Sequence, residues 1–443
     1  AAGTVSGGTF TSANRYAVYT NQGGTLEISG GTFTSTKDAA ISIYSGNVNL
    51  IGNSFVLNGI STVKYVDGSY GVLIANSNTY APSNTEAWIY DESNNVVAYT
   101  KISGRSLSST SNPMLANKTV KLVKDITTSK VVTVGTLTLD LNGKVWTTTA
   151  TKTGISSTNS EITIIDSSAE QTGKIIGNDV AHITSTAILN LVSGTLEGVQ
   201  PLIPGLQTGG TFNIKGGKVV SVDDESGCAI IFGSVSSTVN ISGGEIVCGS
   251  ADKDYGFAIS RNGEHKTNAP TLNISGGKVE GAIYAAGLMN INIDGGEMHV
   301  PAKAEVSTIE MRAGSLNITD GEIINNLVLS ADDSYSGNGT ATRGCAVAVA
   351  QHTTELPITV NISGGEFQAY TPLYQGDAMH NGAQGVEISV TNGKFTATSN
   401  NIIWSENELI AIKGGLFNKS PEKYVAAGKT VVPNTDDATK NAF

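Results

Sequence analysis

Gln375-Gly376-Asp377-Ala378-Met379-His380-Asn381-Gly382 gathers a carboxylate, an imidazole and two amides within one short stretch. Asp377 and His380 are the residue types that proton transfer uses. The same types also close tight turns. The five histidines, His182, His265, His299, His352 and His380, lack the spacing of a zinc site. Asp223-Asp224-Glu225 and Asp332-Asp333 read as solvated turns. Asp-rich loops of this kind hold Ca²⁺ when carbonyl oxygens join them, but nothing here supports that, and no cofactor or metal is expected. A Ser/His/Asp arrangement, a phosphate loop and a dinucleotide loop are all missing.

A second set of residues suits recognition better than catalysis. Four short apolar segments align: Ile283-Tyr284-Ala285, Ile309-Glu310-Met311-Arg312, Leu373-Tyr374-Gln375 and Ile403-Trp404-Ser405-Glu406. Side chains alternate along a strand. With the leading Ile or Leu inward, Tyr284, Glu310, Tyr374 and Trp404 face outward, with Arg312, Gln375 and Glu406 on or beside that face. Aromatic faces flanked by charges and amides suit flat sugar rings. Together with Asp377 and His380 these are the candidate ligand-binding residues. Tyr19 is placed to do the same earlier in the chain.

The elements that must hold these residues come from a repeat. Thr271-Leu272-Asn273-Ile274-Ser275-Gly276-Gly277-Lys278-Val279 recurs around Gly31, Gly244 and Gly365, and more loosely around Gly8, Gly194, Gly217, Gly296, Gly321, Gly393 and Gly415. Gly143 and Gly173 are weaker members, and Asn53 in Gly52-Asn53-Ser54-Phe55 is a degenerate one. Markers stand 19 to 23 residues apart where the unit is plain, and 44 apart between Gly321 and Gly365, room for a long loop or a skipped coil. Apolar residues alternate with a period of two, which marks strands and not helices. Each unit offers three arms: Leu-x-Ile before the glycines, Gly-x-apolar after them, and a small-plus-apolar arm such as Ala282-Ile283-Tyr284. Short strands at a near-constant interval predict an all-β, parallel β-helix with three short strands per coil. The polar slots of the repeat carry Asn, Asp, Lys and Thr, so they are expected to be interchangeable.

Composition fits a surface built from small polar residues. Only 15% of residues are charged, Gly numbers 52, and the net charge is −11. No basic stripe exists for nucleic acid, and no run of roughly 18 apolar residues could span a membrane. Cys228, Cys248 and Cys345 are too few for a disulfide framework and read as small buried side chains. Two β-helical stretches are expected, 1–75 and 118–435, separated by a junction at 76–117 and followed by a tail at 436–443. The junction contains a hairpin-like run, Glu86 to Tyr99, and a Ser-rich linker, Ser103 to Pro113. The tail region with Pro421 and Pro433 is expected to cap or leave the last coil. The chain opens inside a repeat, so signal and anchor are expected outside this window.

The Gly-Gly turns, Leu139-Asp140-Leu141-Asn142-Gly143-Lys144 and the closing Gly414-Gly415-Leu416-Phe417 carry a resemblance to the pectate-lyase-like, right-handed parallel β-helix superfamily. More narrowly, the chain resembles Ile-Ser-Gly-Gly-Thr-Phe repeat regions of large bacterial surface proteins. Hydrolases of that superfamily carry Asn-Thr-Asp, Asp-Asp and Gly-His-Gly signatures. Here Asn434-Thr435-Asp436 lies beyond the last repeat and Gly-His-Gly is absent. The resemblance therefore implies a non-enzymatic, extracellular surface segment, a rigid β-helical rod for adhesion. Its expected partner is a polysaccharide or glycan, or a host or cell-surface protein. The alternative is a polysaccharide lyase or glycoside hydrolase working in a groove on the outer face.

Overall fold

The chain winds as a parallel β-solenoid of about 12 turns, with no α-helix among the described residues. The structure is a computed structural model. It describes residues 2–21, 23–51, 54–59, 63–65, 72–75, 78–79, 102–103, 118–122, 125–128, 132–133, 136–149, 154–203, 209–222, 227–249, 256–329, 341–434 and 443. The hairpin at 86–99, most of the Ser-rich linker, Gly52-Asn53, the acidic runs at 223–225 and 332–333, and Thr435-Asp436 lie outside the described residues. Two compact units emerge. One comprises residues 1–147 and 160–173, the other 148–159 and 174–443.

In the first unit, Ala2–Ser12 lies parallel on Thr25–Ser35. Thr25–Ser35 in turn carries Asn47–Leu50 and Phe55–Asn58 on its two halves. Phe10 stacks flat on Phe33, with centroids 4.8 Å apart. Further along, Lys118–Lys121, Leu137–Asp140 and Glu161–Ile165 pair in parallel. Here aspartates brace the turns at Gly143 and Gly173. Asp140 accepts from the N–H groups of Asn142 and Ser167, and Asp166 from those of Gly143, Ser168 and Gly173. A carboxylate with several N–H donors can hold a turn whose backbone has no strand partner.

In the second unit the three arms are clearest. The third arm forms a seven-stranded parallel sheet running from Ile230–Ile231 to Ile403–Ser405. The first two arms begin as separate short strands, such as Thr211–Ile214 and Lys218–Ser221. From Thr238–Val247 onward they fuse into single strands of 10 to 12 residues that bend at the glycines. The pairing slips at that bend, between Ile274 and Ser275 and again before Lys278. Gly277 shows why the corner needs glycine. Its φ is +77°, and a Cβ there would stand 2.8 Å from the main chain of Gly243 in the coil before. Both facts exclude a side chain.

Inside, the rows are continuous. Val239, Leu272, Ile291, Leu316, Val360 and Ile388 follow one another in register, each buried. Phe367, Phe395 and Phe417 stack almost flat at 4.6 and 4.9 Å. Each such side chain contributes on the order of 1.5–3 kcal/mol by leaving water. The 44-residue interval is one coil with an insertion, because Gly314–Asn325 pairs directly with Ile358–Ala369. The chain end covers the last coil. Ala426 N–H donates to Ile412 O, and Phe443 exchanges both main-chain hydrogen bonds with Phe417. Such pairing quiets an open strand edge.

One expectation fails. Over seven successive coils the polar slot between the two apolar residues of the first arm is not interchangeable, although Thr138, Thr163 and Ser389 fill it on other coils. Asn190, Asn213, Asn240, Asn273, Asn292, Asn317 and Asn361 form an unbroken ladder, each Nδ2 donating to the Oδ1 of the coil before, at 2.8 to 3.1 Å. An amide is both donor and acceptor, so identical amides one coil apart satisfy each other. Asn273→Ala breaks two rungs, and Asn361→Ala at the ladder's end breaks one. Urea unfolding should show a loss of about 1–2 kcal/mol for the former and a smaller one for the latter. Gly277→Ala should cost more, roughly 2–4 kcal/mol.

Candidate functional site

The third-arm column has the register the sequence suggests. Tyr284 pairs with Glu310, Glu310 with Ala348, Ala348 with Tyr374, and Tyr374 with Trp404. Its exposure is another matter. Tyr284, Glu310 and Arg312 are buried although they belong to the outward set. Two stretches between the second and third arms fold back over them. Val300, Ala304 and Val306 pack with Ala282 and Phe257, whose ring lies 4.9 Å from that of Tyr284. Arg343 is paired with Glu305 at 2.7 Å, and Ser307 Oγ donates to Thr342 O, so the two stretches also hold each other. The sequence gives the lengths of these insertions, not where they come to rest.

Under that cover Glu310 is an unusual group. Its Oε1 accepts the N–H of Ala341 at 2.7 Å, while its Oε2 has no partner and no contact with solvent. Arg312 Nε stands 3.8 Å away, but it donates to Ala350 O and Nη2 donates to Gln351 O. The guanidinium thus attracts the carboxyl without hydrogen-bonding it. Burial pushes Glu310 up to about 7, against the pull of Arg312 and of the Ala341 N–H. Burial likewise raises Tyr284, with Glu310 adding to it.

Toward the end of the column the cover ends. Tyr374 is half-buried and Trp404 is 38% exposed; their rings lie 4.8 Å apart and 8° from parallel. Burial pushes the Tyr374 phenol up to about 12. Gln375 is fully buried. Its amide donates to Gly376 O and Asn407 Oδ1, and its Oε1 accepts from Ser405 Oγ and Asn407 N–H, which pins the turn at 405–409.

Asp377 closes its own loop. Its carboxylate accepts the N–H groups of Asn381 and Gly382 and the amide of Asn407. Desolvation works to raise its pKa, but these donors outweigh it and hold the group below the usual carboxylate value. His380 is exposed, with φ at +54°, and does not bond to the Asp377 carboxylate. Glu406 is exposed and takes the Asp377 N–H at 2.8 Å. Of the candidates, then, Trp404, Glu406 and His380 are exposed, and Tyr374 and Asp377 are partly so. Tyr284, Glu310, Arg312 and Gln375 are interior. No protein-family model, no curated protein and no solved structure matches the chain. Within the described residues, no group of His, Cys, Asp and Glu is arranged to hold a metal ion. No helix there is long and apolar enough to cross a membrane. The three cysteines are free and buried.

In the first unit Tyr19 is 45% exposed and stacks on Tyr16 at 5.1 Å.

Sequence reasoning missed a feature of the second arm. The residue just after the corner glycine carries charge on successive coils: Lys218, Glu245, Lys278, Glu297, Glu322, Glu366 and Lys394. The last three border a groove of about 410 Å³. The signal was present in the sequence, in the variable slot of Gly-Gly-x-apolar, and shows only when the repeats are aligned on their glycines.

Glu310 generates a test. Its folded-state pKa lies above its ordinary value, so the folded chain binds this proton more tightly. The folded state is then most favoured below about pH 4.5 and loses that advantage as pH rises through about 7. The gap is worth on the order of 3 kcal/mol. His182, His265 and His352 are held below their ordinary values by burial and act in the opposite sense over the same range, so the comparison is between chains. Urea unfolding at pH 5 and pH 8 should show that the stability of wild type relative to Glu310→Gln is lower at pH 8 than at pH 5. An equal pH dependence in both chains would contradict the assignment.

Proposed function

We propose that this chain is a non-enzymatic segment of an extracellular surface protein, a solenoid of the pectate-lyase-like kind that binds glycan in adhesion. One observation carries the reading. Trp404 is 38% exposed, its ring stacked on that of Tyr374 at 4.8 Å, with the exposed Glu406 two residues on. An aromatic ring fixed in one orientation offers large apolar contact at little entropic cost. A sugar ring lays its C–H face on such a platform while a nearby carboxylate accepts from its hydroxyls. The surroundings support an extracellular setting: a surface of Ser, Thr, Asn and Gly with 15% charged residues.

A glycan array probed with wild type and Trp404→Ala tests the reading. Removing the indole should weaken binding at least tenfold, about 1.4 kcal/mol, with the thermal midpoint unchanged. Binding that survives Trp404→Ala together with Tyr374→Ala removes the platform. The bound polysaccharides should also be incubated and assayed for reducing ends and unsaturated products. Turnover there would replace adhesion with catalysis.

A further inference from the structure

The groove of about 410 Å³ on the second arm is independent of the Trp404 platform and has a chemistry of its own. Two outward rows build it. Glu322, Glu366 and Lys394 lie in register on three successive coils. Two residues further along each strand come Ile324, Gln368 and Thr396, also in register. Asn418 closes one end, its side-chain amide clasping both the N–H and the C=O of Ala397 at 2.9 Å. The stacked rings of Phe367 and Phe395 lie directly beneath, so the floor is packed and rigid.

The polar groups in this groove are largely unspent. Lys394 Nζ donates to one oxygen of Glu366 at 3.3 Å. Glu322 has His299 Nε2 at 3.7 Å, too long for a hydrogen bond. Among the described residues, the side chains of Gln368 and Thr396 make no hydrogen bond. The groove thus offers carboxylate acceptors, an ammonium, an amide and a hydroxyl around the half-buried Ile324. Such a set suits a ligand that donates many O–H groups and shows an apolar face between them.

Charge narrows the class. Glu297 precedes Glu322 in the same row, so carboxylates stand on three coils in succession, with Lys278 before them and Lys394 after them in register. Coils about 4.8 Å apart put these carboxylates close enough together to repel a ligand that carries negative charge. The geometry points to a second glycan subsite. It takes a neutral, hydroxyl-rich oligosaccharide laid along the solenoid and turns away polyuronates and sulfated chains. This inference rests on the glycan-binding reading above and adds to it a site and a ligand class.

The test uses the full chain on an array holding both neutral and uronate- or sulfate-bearing oligosaccharides, followed by titration of the strongest probe. Neutral probes should dominate. The double variant Gln368→Ala/Thr396→Val should lower affinity for them at least tenfold with an unchanged thermal midpoint. Glu322→Lys/Glu366→Lys should move recognition toward the uronate-bearing probes. All four positions lie outside the buried rows, and the thermal midpoint reports whether each variant folds. Recognition confined to uronate or sulfated probes in wild type overturns the inference. So does neutral binding unaffected by the groove variants; if Trp404→Ala abolishes that binding, the platform stands and the groove alone falls. An array with no neutral or acidic binder counts against glycan binding itself, and the groove falls with it.

Discussion

Register between successive coils is the constraint from which the rest of this chain follows. Thr271 lies on Thr238, Leu272 on Val239, Asn273 on Asn240, and the same order continues to the next coil. Each backbone N–H and C=O of an arm finds its partner in a neighbouring coil, not within its own. A residue therefore has two kinds of neighbour, those along the chain and those one coil away. Rows, not segments, decide what each side chain does. Inner rows become apolar stacks, of which Phe367, Phe395 and Phe417 are the tightest. The middle outward row of the first arm becomes an amide ladder. The corner row must be glycine wherever the preceding coil's main chain comes within contact of a Cβ.

That constraint explains what could be read from the amino-acid sequence. Alternation and the glycine interval are local, so the solenoid, its three arms and the alignment of Tyr284, Glu310, Tyr374 and Trp404 were legible. What was not legible depends on neighbours far away in the chain. Asn273 looks exchangeable beside Ser275 until Asn240 and Asn292 are placed above and below it. Tyr284 and Glu310 look exposed until residues 300–306 and 341–344 fold over them. Gln375 looks like a ligand-binding amide until Ser405 and Asn407 are found bonded to it. Glu322, Glu366 and Lys394 look like ordinary polar turn neighbours until three coils bring them together.

The proposed binding residues accordingly lie where the coils differ. A perfectly regular solenoid would expose the same row of side chains on every coil. Here insertions cover part of the third-arm column and leave Trp404 open. The variable slot after the glycines brings carboxylates together near one end of the second arm. The scaffold spends its sequence regularity on holding rows in place, and the proposed recognition falls to the irregularities. Glu310 marks the cost of covering an outward row: a carboxyl meant for water is enclosed with one oxygen unpaired.

Hydroxyl-radical footprinting with and without a bound glycan tests this account most directly, because it reports every exposed side chain at once. Protection is predicted at Trp404 on the third arm and at Ile324 and Lys394 beside the groove. The regular Thr and Asn rows of the first arm, Thr238, Thr271, Asn292 and Asn317 among them, should remain unchanged. Protection centred on those repeated rows, with Trp404 and the groove unaffected, would contradict the claim that recognition resides in what differs from coil to coil.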